Sequence, residues 1–497
     1  MKMKKLLLLF CLINCFVVAR AEKVFEFNTT CQQAYREVMQ LKLNNGLALI
    51  QKAKLQNPDN LIPLVLESYI DFFTLFFNED PAEFKIREPR FDERIAALKK
   101  GPDNSPFYNF CLGAVYLHKA GVNLKFDRQF KAGIDFQTGY KYLKQNKKLY
   151  PTFVPNQLLF GGLQATVGTI PKSYKWIAGI LGIKGSIADG MKTVNGFVNS
   201  SDPWARLMFN EAIFLDCYLM FYIENKKDEA LHLIDTKKLD VVNNHLFTYM
   251  AANLAINNKQ TEYAKNVVLN RSRSAEYMPT TVWDFQLGFI YLHHLQTEEA
   301  IKYFENYIRN FKGKFYVKDV YQKLSWCYYL QGNMAAAEEA RKNVISKGAA
   351  ISDADKQALK DAKTGVWPNP ILLKARVLND GGYNYDALMV LQGKSTSSFT
   401  KEVEQLEYCY RVARINDDLK NDDAAIAFYL KAMAIGINRT EYYAARAALQ
   451  IGMIYERRGD KKNAIVYYEK CLDMDDHDYK NSLDQRAKSG IARCNGE

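Results

Sequence analysis

The histidine residues are the first candidates for chemistry, and their spacing predicts neither a metal site nor a catalytic one. Six histidines are spread along 497 residues. None belongs to an H-E-x-x-H pair, in which two histidines one helical turn apart hold zinc. His293 and His294 are adjacent, and neighbouring positions on a helix point in different directions. We therefore expect exposed or hydrogen-bonded histidines rather than metal ligands.

The acidic, serine and glycine patterns also lack the spacing that known chemistry requires. A calcium loop needs glycine at its sixth position and a longer glutamate at its twelfth. The acidic cluster that begins at Asp473 has Asp478 and Asp484 at these places. No G-x-S-x-G nucleophile elbow occurs. Residues 179–186 lack the G-x4-G-K-[ST] spacing of a phosphate-binding loop. The sequence therefore predicts no catalytic residues, no metal and no cofactor.

Composition and charge describe an ordinary folded chain. The sequence is 48% hydrophobic and 25% charged, and its formal net charge is +12. The lysines are spread along the chain, which is typical of solvated helix faces. Nucleic-acid binding would need a concentrated basic stripe, so we do not predict it. Weak attraction to acidic partners or anionic lipid surfaces is compatible with this charge.

The first 21 residues have the pattern of a secretory signal peptide. Lysines at positions 2, 4 and 5 precede an apolar stretch at 6–18, which is too short to span a bilayer comfortably. Ala19-Arg20-Ala21 is an A-x-A cleavage site, so we expect a mature chain beginning at Glu22. The prediction is export to the periplasm or cell envelope, and an uncleaved anchor is the alternative.

The cysteines are scattered and suggest no redox or metal pair. Seven would remain after cleavage, and no two form a C-x-x-C motif. Isolated cysteines within apolar helices are usually small core residues. A disulfide between Cys471 and Cys494 is an alternative that the sequence leaves open.

The elements that would position any site are predicted by a repeated pair of small residues. Seven alanines recur at gaps of 34 to 39 residues, with one gap of 50: Ala230, Ala264, Ala300, Ala337, Ala387, Ala425 and Ala464. Twelve residues before each lies a second series, six of whose seven members are small: Tyr218, Ala252, Gly288, Ser325, Ala375, Ala413 and Gly452. Two antiparallel helices that cross closely need small residues at the crossing. This period therefore predicts a solenoid of helical hairpins.

Three units show a more complete motif. In the first, Leu287-Gly288 and Tyr291 precede Ala300 and Phe304; units around Ala337 and Ala464 are similar. The pattern resembles the tetratricopeptide repeat, W-x2-L-G-x2-Y followed by A-x3-F. The resemblance implies an all-α, right-handed superhelix of helical hairpins that binds protein partners and has no catalytic role.

A glycine-rich segment at residues 160–199 separates the repeats from the N-terminal region. It contains Phe160-Gly161, Thr169-Ile170-Pro171-Lys172, Leu181-Gly182-Ile183-Lys184-Gly185 and Asp189-Gly190. This arrangement resembles the insert of the inclusion-body-clearance family, which includes the tetratricopeptide-repeat 39 proteins. The G-F-x-G-D element of that family is matched only in part. We expect two or three short helices with tight turns.

The chain is divided on these patterns into six segments. They are a signal peptide at 1–21, an N-terminal region of degenerate hairpins at 22–159, the glycine-rich insert at 160–202, repeats at 203–346, a connection at 347–370, and repeats with a C-terminal cap at 371–497. The connection is predicted to be either an extra helix or a hinge. A break or loose turn is expected at Asn44-Asn45-Gly46, within an apolar helical pattern at 30–57.

A partner would bind to the concave face, which the first helix of each hairpin forms in such superhelices. Counting from the small-residue positions assigns these side chains to the groove: Tyr249, Asn253, Phe285, Phe289, Gln322, Trp326, Tyr329, Arg376, Tyr410, Arg414 and Arg446. The central set is aromatic and the C-terminal set is basic. Such a groove would suit a protein or peptide with apolar anchors and an acidic end.

Two other functions fit the same sequence. Lipid or membrane association would be carried by the glycine-rich insert and by the aromatic run at 72–77. An enzyme with an unfamiliar site would need a deep polar pocket with clustered ionisable groups. The leading prediction is an exported, non-enzymatic scaffold.

Overall fold

The protein is described here by a computed structural model that covers residues 22–168 and 186–496. Helices form the regular structure of these residues, and no strand occurs among them beyond a single bridge between Val24 and Asn60. The all-α prediction is confirmed. The signal-peptide prediction at 1–21 and the centre of the glycine-rich insert lie outside the described residues.

The helices are numbered in chain order. The N-terminal region contains α1 (Thr29–Val38), α2 (Leu43–Gln56), α3 (Ile62–Asn78), α4 (Pro81–Leu98), α5 (Pro106–Lys125), α6 (Gln129–Leu149), α7 (Pro155–Gly168) and α8 (Ile187–Val198). The first repeats contain α9 (Pro203–Leu207), α10 (Phe209–Tyr222), α11 (Lys227–Thr236), α12 (His245–Asn257), α13 (Thr261–Asn270), α14 (Val282–His293), α15 (Thr297–Asn310), α16 (Val317–Leu330) and α17 (Met334–Ser346). The remainder contains α18 (Asp353–Thr364), α19 (Pro370–Gly381), α20 (Asn384–Leu391), α21 (Glu402–Asp418), α22 (Asp422–Gly436), α23 (Tyr443–Arg457), α24 (Lys461–Leu472) and α25 (Lys480–Asn495).

The N-terminal region differs in one detail from the prediction. The chain turns between α1 and α2 at residues 39–42, where Leu41 has a positive φ of 62°. Gly46 therefore lies inside α2 and not in a break. A Cβ at Gly46 would lie 2.5 Å from Cγ2 of Val38, so this glycine allows α1 and α2 to cross closely. Helix α7 runs across the predicted boundary at 159/160, and the division into segments stays a prediction.

The repeated alanines lie at helix crossings, as their spacing predicts. All seven are completely buried. Gly288 on α14 faces Phe304 on α15, and an added Cβ would lie 2.4 Å from the ring. Gly452 on α23 faces Tyr468 on α24 at 2.6 Å in the same way. A small residue on one helix thus receives the aromatic residue of the A-x3-F motif on the next.

A second regularity is visible only in the backbone. The turn within each repeat hairpin contains one residue with positive φ, always five residues before the repeated alanine: Asn225, Lys259, Leu295, Gly332, Gly382, Lys420 and Gly459. A residue with the left-handed backbone conformation just after a helix allows the last carbonyl groups of that helix to accept hydrogen bonds while the chain reverses direction. Only three of the seven are glycine, so residue type alone does not reveal the pattern.

The repeats form two stacks rather than one continuous series. Helix α18 packs against both α16 and α17, which is where the next hairpin of a regular solenoid would lie. Helix α25 packs in the same way on α23 and α24. We therefore call α10–α17 with the capping helix α18 the first stack, and α19–α24 with α25 the second stack. The segment 347–370 thus contains one helix, α18, and the chain ends in the helix α25.

The second stack docks on the hairpin turns of the first. Helix α19 packs on α14. Lys259, in the turn after α12, donates from Nζ to Asp418 Oδ2 at 2.5 Å. Gly382, in the turn after α19, approaches the same turn so closely that a Cβ would lie 1.9 Å from the Lys259 carbonyl oxygen. The His294 ring stacks on Tyr383, with the ring centroids 4.1 Å apart.

The N-terminal helices and the first stack share one apolar core. This core runs without interruption from Cys31 to Ile290. Glu211 on α10 accepts hydrogen bonds from the hydroxyl groups of Tyr35 and Tyr69 at 2.5 and 3.0 Å. Phe73 and Phe77, from the aromatic run at 72–77, are buried within the same core. Among the described residues, no helix combines the length and apolar character needed to cross a membrane.

The cysteines are buried, as their scattered positions predict. Cys471 and Cys494 lie in one apolar cluster with Tyr468 and Leu483, and both are free thiols. The disulfide that the sequence left open is not formed in the structure.

We predict that Gly382→Ala destabilises the docking of the two stacks. A Cβ at this position would collide with the Lys259 carbonyl group, and φ of +88° is unfavourable for alanine. Gly393→Ala is the matched control, because Gly393 also has a positive φ of +70° but nothing within 4 Å. We expect the free energy of unfolding to fall by about 3 kcal/mol for Gly382→Ala and about 1 kcal/mol for Gly393→Ala. Equal losses in urea denaturation would contradict this account.

His118 on α5 is a buried histidine in the shared core. Its Nδ1 lies 2.8 Å from the Ser68 hydroxyl oxygen, and its ring stacks on Phe72 at a centroid distance of 5.2 Å. Burial, together with the positive charge of Arg94, lowers the pKa of His118 to about 3. Protonation at acidic pH would therefore place an unpaired charge in the core.

We predict that His118 makes the fold sensitive to mild acid. Its folded pKa lies below the unfolded value of 6.5, so the stability it contributes is complete above pH 6.5 and is lost as the pH falls towards 3. Between about pH 7.5 and pH 5 the loss is about 2 kcal/mol. Urea denaturation of His118→Gln should show a pH dependence smaller by that amount, even if the variant is less stable throughout. An unchanged pH dependence would contradict the prediction.

Candidate partner-binding groove

The concave side of the first stack contains a cavity lined by aromatic rings together with charged and polar side chains. Its volume is about 750 Å³. Its aromatic lining comes from α3, α10, α12, α14, α15 and the segment before α16: Phe76, Phe77, Tyr218, Tyr222, Tyr249, Phe285, Phe289, Tyr307, Phe311, Phe315 and Tyr316. We call this site the aromatic cavity. It is large enough to receive one or two bulky apolar side chains of a partner.

The repeat pattern brings four of the predicted groove residues together in this cavity. Tyr249 and Asn253 lie one turn apart on α12, and Phe285 and Phe289 lie one turn apart on α14. Asn244 caps α12 by accepting from the backbone N–H groups of Leu246 and Phe247. All four predicted side chains are half-buried, so each presents a face to the cavity.

The N-terminal region closes one side of the groove, which the sequence did not predict. The Phe77 ring meets the Tyr249 ring edge to face, with centroids 5.0 Å apart. Glu79, at the end of α3, accepts from the backbone N–H groups of Lys314 and Phe315 at 3.2 and 3.3 Å. The groove, which would be open in a simple superhelix, is therefore closed on one side by the N-terminal region.

A few polar groups line the aromatic cavity among the rings. The Asn253 side-chain oxygen accepts from the Tyr218 and Tyr222 hydroxyl groups at 3.3 and 3.5 Å. Burial lowers the pKa of His293 to about 4, so its imidazole is neutral near pH 7. Burial and the nearby charge of Arg414 lower the pKa of Lys259 to about 8. These groups could orient a polar segment of a partner between apolar anchors.

Most of the charged side chains of the cavity form ion pairs with other side chains of the same chain. Lys323 bonds to Asp319 at 2.7 Å, and Lys125 bonds to Glu79 at 2.5 Å. Asp380 lies 3.7 Å from the guanidinium of Arg376. No cluster of side chains suited to a metal ion occurs among residues 22–168 and 186–496. The arrangement therefore offers aromatic surface beside hydrogen-bonding groups and paired charges.

Three other predicted groove residues lie in a separate, smaller cavity. Gln322, Trp326 and Arg376 line a space of about 250 Å³ beside α18. Trp326 is only 7% exposed, and the charged groups of Lys323 and Arg376 lie 4.2 and 5.0 Å from its ring centroid. Gln322 is equally buried and donates to Asp361 on α18 at 2.9 Å. The capping helix has replaced the open face on which a partner was expected.

Two predicted aromatic residues serve packing. Tyr329 stacks on Trp367 at 4.9 Å and donates its hydroxyl to the Pro368 carbonyl. Tyr410 is 2% exposed and lies in the core of the second stack, against Tyr443. For Tyr410 the assignment to a groove surface is wrong, because the docking of α21 and α23 encloses this side chain.

Arg414 and Arg446, the last two predicted groove residues, lie at the basic end of the concave side. Arg414 on α21 contacts Asp417 and Asp418 at 3.3 and 3.5 Å. Arg446 on α23 has a buried Nε without a hydrogen-bond partner. Lys227 and Arg486 belong to the same region but were not predicted, since they come from the start of α11 and from the capping helix. The repeated pair of small residues, twelve positions apart, does not predict that either cation lies there.

Comparisons with known proteins agree with this architecture. Two family models, both described as tetratricopeptide repeat, match the chain: one at residues 406–435 and 445–478, the other at 284–313. These stretches correspond to the hairpins α21–α22, α23–α24 and α14–α15. No curated protein sequence matches this chain.

Solved structures also show similarity at low identity. The tetratricopeptide domain of P58(IPK) is 12% identical, with 87% of this chain and 97% of that chain covered and a TM-score of 0.22. The structure of Naa15/Naa10 bound to HypK-THB is 12% identical, with 94% of this chain and 66% of that chain covered and a TM-score of 0.26. The APC/C hetero-tetramer Cut9-Hcn1 is 12% identical, with 91% of this chain and 95% of that chain covered and a TM-score of 0.29.

The hairpins and the matched segments together define the class. This chain is an α-helical repeat protein that contains tetratricopeptide repeats. Two of the three units with the clearest motif are matched, and so is the unit around Ala425, whose motif is only partial. The resemblance of residues 160–199 to the inclusion-body-clearance family has no counterpart in these comparisons and stays a prediction.

We predict that Asp418→Asn weakens the junction between the stacks. Asp418 accepts from Lys259 and from the Asn379 side chain at 2.7 Å, so its loss leaves a half-buried ammonium group unpaired. We expect the free energy of unfolding to fall by about 2 kcal/mol. Asp423→Asn is the control, because Asp423 is 93% exposed and its pairing with Arg458 is worth less than about 1 kcal/mol. Equal urea midpoints for the two variants would contradict the assignment.

Proposed function

We propose that this chain is an exported, non-enzymatic scaffold that binds a protein partner on the concave side of its first stack. The observation that carries the proposal is the aromatic cavity, because it joins apolar surface from three successive hairpins with a few convergent polar groups. Aromatic side chains contribute a large share of binding energy at protein interfaces. Tetratricopeptide repeats in this chain support the same function.

The partner proposed is a peptide segment with at least one bulky apolar side chain. Tyr222 is 54% exposed and Tyr316 is 39% exposed at the cavity, which leaves ring surface for a partner to cover. Burial of such an anchor would remove apolar surface from water on both molecules. The hydroxyl groups of Tyr218 and Tyr222 would then lie beside the backbone of the bound segment.

Export to the periplasm or cell envelope is part of the proposal. Its support is the sequence at 1–21, with a basic start, a short apolar stretch and an A-x-A site. Membrane association remains the second candidate. The aromatic run at 72–77 does not favour it, since Phe73 and Phe77 are buried in the core. Residues 176–183 of the glycine-rich insert lie outside the described residues.

We predict that Tyr222→Ala together with Phe289→Ala abolishes partner recovery while the fold is retained. Truncation of two interface aromatic residues commonly weakens binding by 100-fold or more, on the order of 3 kcal/mol. The measurement is affinity capture from envelope extracts with quantitative mass spectrometry, followed by calorimetry with the purified partner. The captured chain is expected to begin at Glu22.

The matched control is Phe130→Ala together with Tyr385→Ala. These rings are 83% and 75% exposed and lie outside the cavity. Their loss should leave recovery unchanged. Equal recovery of the same partner by the cavity variant and by the unmodified chain would overturn the proposed site.

A further inference from the structure

Three cations near the junction of the two stacks form no ion pair in the described residues, and the carboxylate nearest to Lys227 along the chain, Asp228, accepts instead from Asn258. Lys227 begins α11, Arg446 lies on α23 and Arg486 lies on the capping helix α25. Within the part of the chain that the structure describes, none of the three forms an ion pair. Arg486 donates only to the Met453 sulfur at 3.6 Å, and the buried Nε of Arg446 has no partner.

Packing brings the three cations into one region. Arg486 on α25 contacts Met453 on α23, the helix of Arg446. Asp228, next to Lys227, accepts a hydrogen bond from Asn258, next to Lys259, at 2.7 Å. Burial and then the charges of Arg446 and Arg414 lower the pKa of Arg486 below its usual value. Burial and then the charges of Arg486, Arg414 and Arg446 lower the pKa of Lys227. Helix α23 packs on both α21 and α25, so the three arginines come from adjacent helices. Like charges held together in a partly buried site destabilise the fold unless an anion joins them.

The neighbouring hairpin turn, after α12, contains a lysine that does form an ion pair with the second stack. Lys259 occupies the hairpin turn after α12, as Lys227 begins the helix that follows the turn after α10. The second stack offers Asp418 to Lys259 at 2.5 Å. Among the described residues, no carboxylate of the second stack forms an ion pair with Lys227 as Asp418 does with Lys259. Lys227 lies two residues after Asn225, which is the position equivalent to Lys259.

We propose that Lys227, Arg446 and Arg486 form a binding site for carboxylate groups of an acidic segment of the protein partner. This inference rests on the proposed function, since it assigns the anion to the partner of the concave side. The chemistry is charge complementarity: guanidinium groups bind carboxylates through paired N–H donors, and Arg446 Nε is a buried donor without a use in the isolated chain. Arg414 is already paired with Asp417 and Asp418 and adds positive potential.

The test uses the purified full chain and two labelled peptides, one of six glutamates and one of six glutamines. Binding is followed by fluorescence anisotropy at low and high salt. We expect the glutamate peptide to bind, with affinity that falls steeply as salt is raised. Arg446→Gln together with Arg486→Gln should weaken this binding at least tenfold. Lys488→Gln is the control, because Lys488 is an exposed cation on the same helix as Arg486.

Thermal unfolding provides a second measurement that does not depend on the peptide. Removal of an unpaired cation relieves repulsion, so Arg446→Gln should unfold at the same or a higher temperature than the unmodified chain at low salt. A clear decrease would overturn the site as described. Addition of the glutamate peptide should raise the unfolding temperature of the unmodified chain and leave that of the double variant unchanged.

The outcomes separate this inference from the proposed function. Equal binding of both peptides, or equal binding by the double variant, would overturn the carboxylate site while leaving the aromatic cavity untested by this experiment. Stabilisation by inorganic phosphate without any binding of the glutamate peptide would also overturn the proposal, since it would show a site for a small free anion. Arginine-dependent glutamate binding that persists in Tyr222→Ala with Phe289→Ala would support the site independently of the cavity.

Discussion

The close crossing of paired helices is the constraint on which the rest of this structure depends. The ring of Tyr468 fits between Gly452 and Gly490, where a Cβ on either side would lie 2.6 and 2.4 Å from ring carbons. Such a crossing fixes two helices as one rigid unit, because the aromatic ring fills the space that the small residue leaves. Each unit still has an apolar face that must be covered. Stacking, capping and docking are three ways in which this chain covers it.

Capping explains why the concave side is divided. Helix α18 is polar along much of its length and covers the end of the first stack, as α25 covers the end of the second. The second stack therefore cannot continue on α16 and α17. It docks on hairpin turns instead, where backbone groups and charged side chains are exposed. A contact of this kind needs close backbone approach, provided by Gly382, and paired charges, provided by Lys259 and Asp418.

The sequence predicts what is local and repeated, and misses what depends on the arrangement of the stacks. Tyr249 and Phe285 could be assigned to one cavity because they occupy equivalent positions on successive hairpins. Gln322 has the equivalent position too, but α18 covers it, and the pattern at 347–370 allowed either a helix or a hinge. Phe77 reaches the concave side through long-range packing of the N-terminal region, which lies outside the repeat pattern. No local spacing encodes such contacts.

The division into two stacks also gives the concave side two kinds of binding surface. The aromatic cavity is lined by residues of two apolar clusters, one shared by the N-terminal helices and the first stack and one that begins at α14, so its shape is fixed by packing. The proposed carboxylate site is built between the stacks, and its cations repel one another when it is empty. An anion bound there would favour the docked arrangement of the stacks by the same free energy with which that arrangement favours the anion. A partner that occupies both surfaces would therefore be held by rigid apolar contacts and would itself complete the junction.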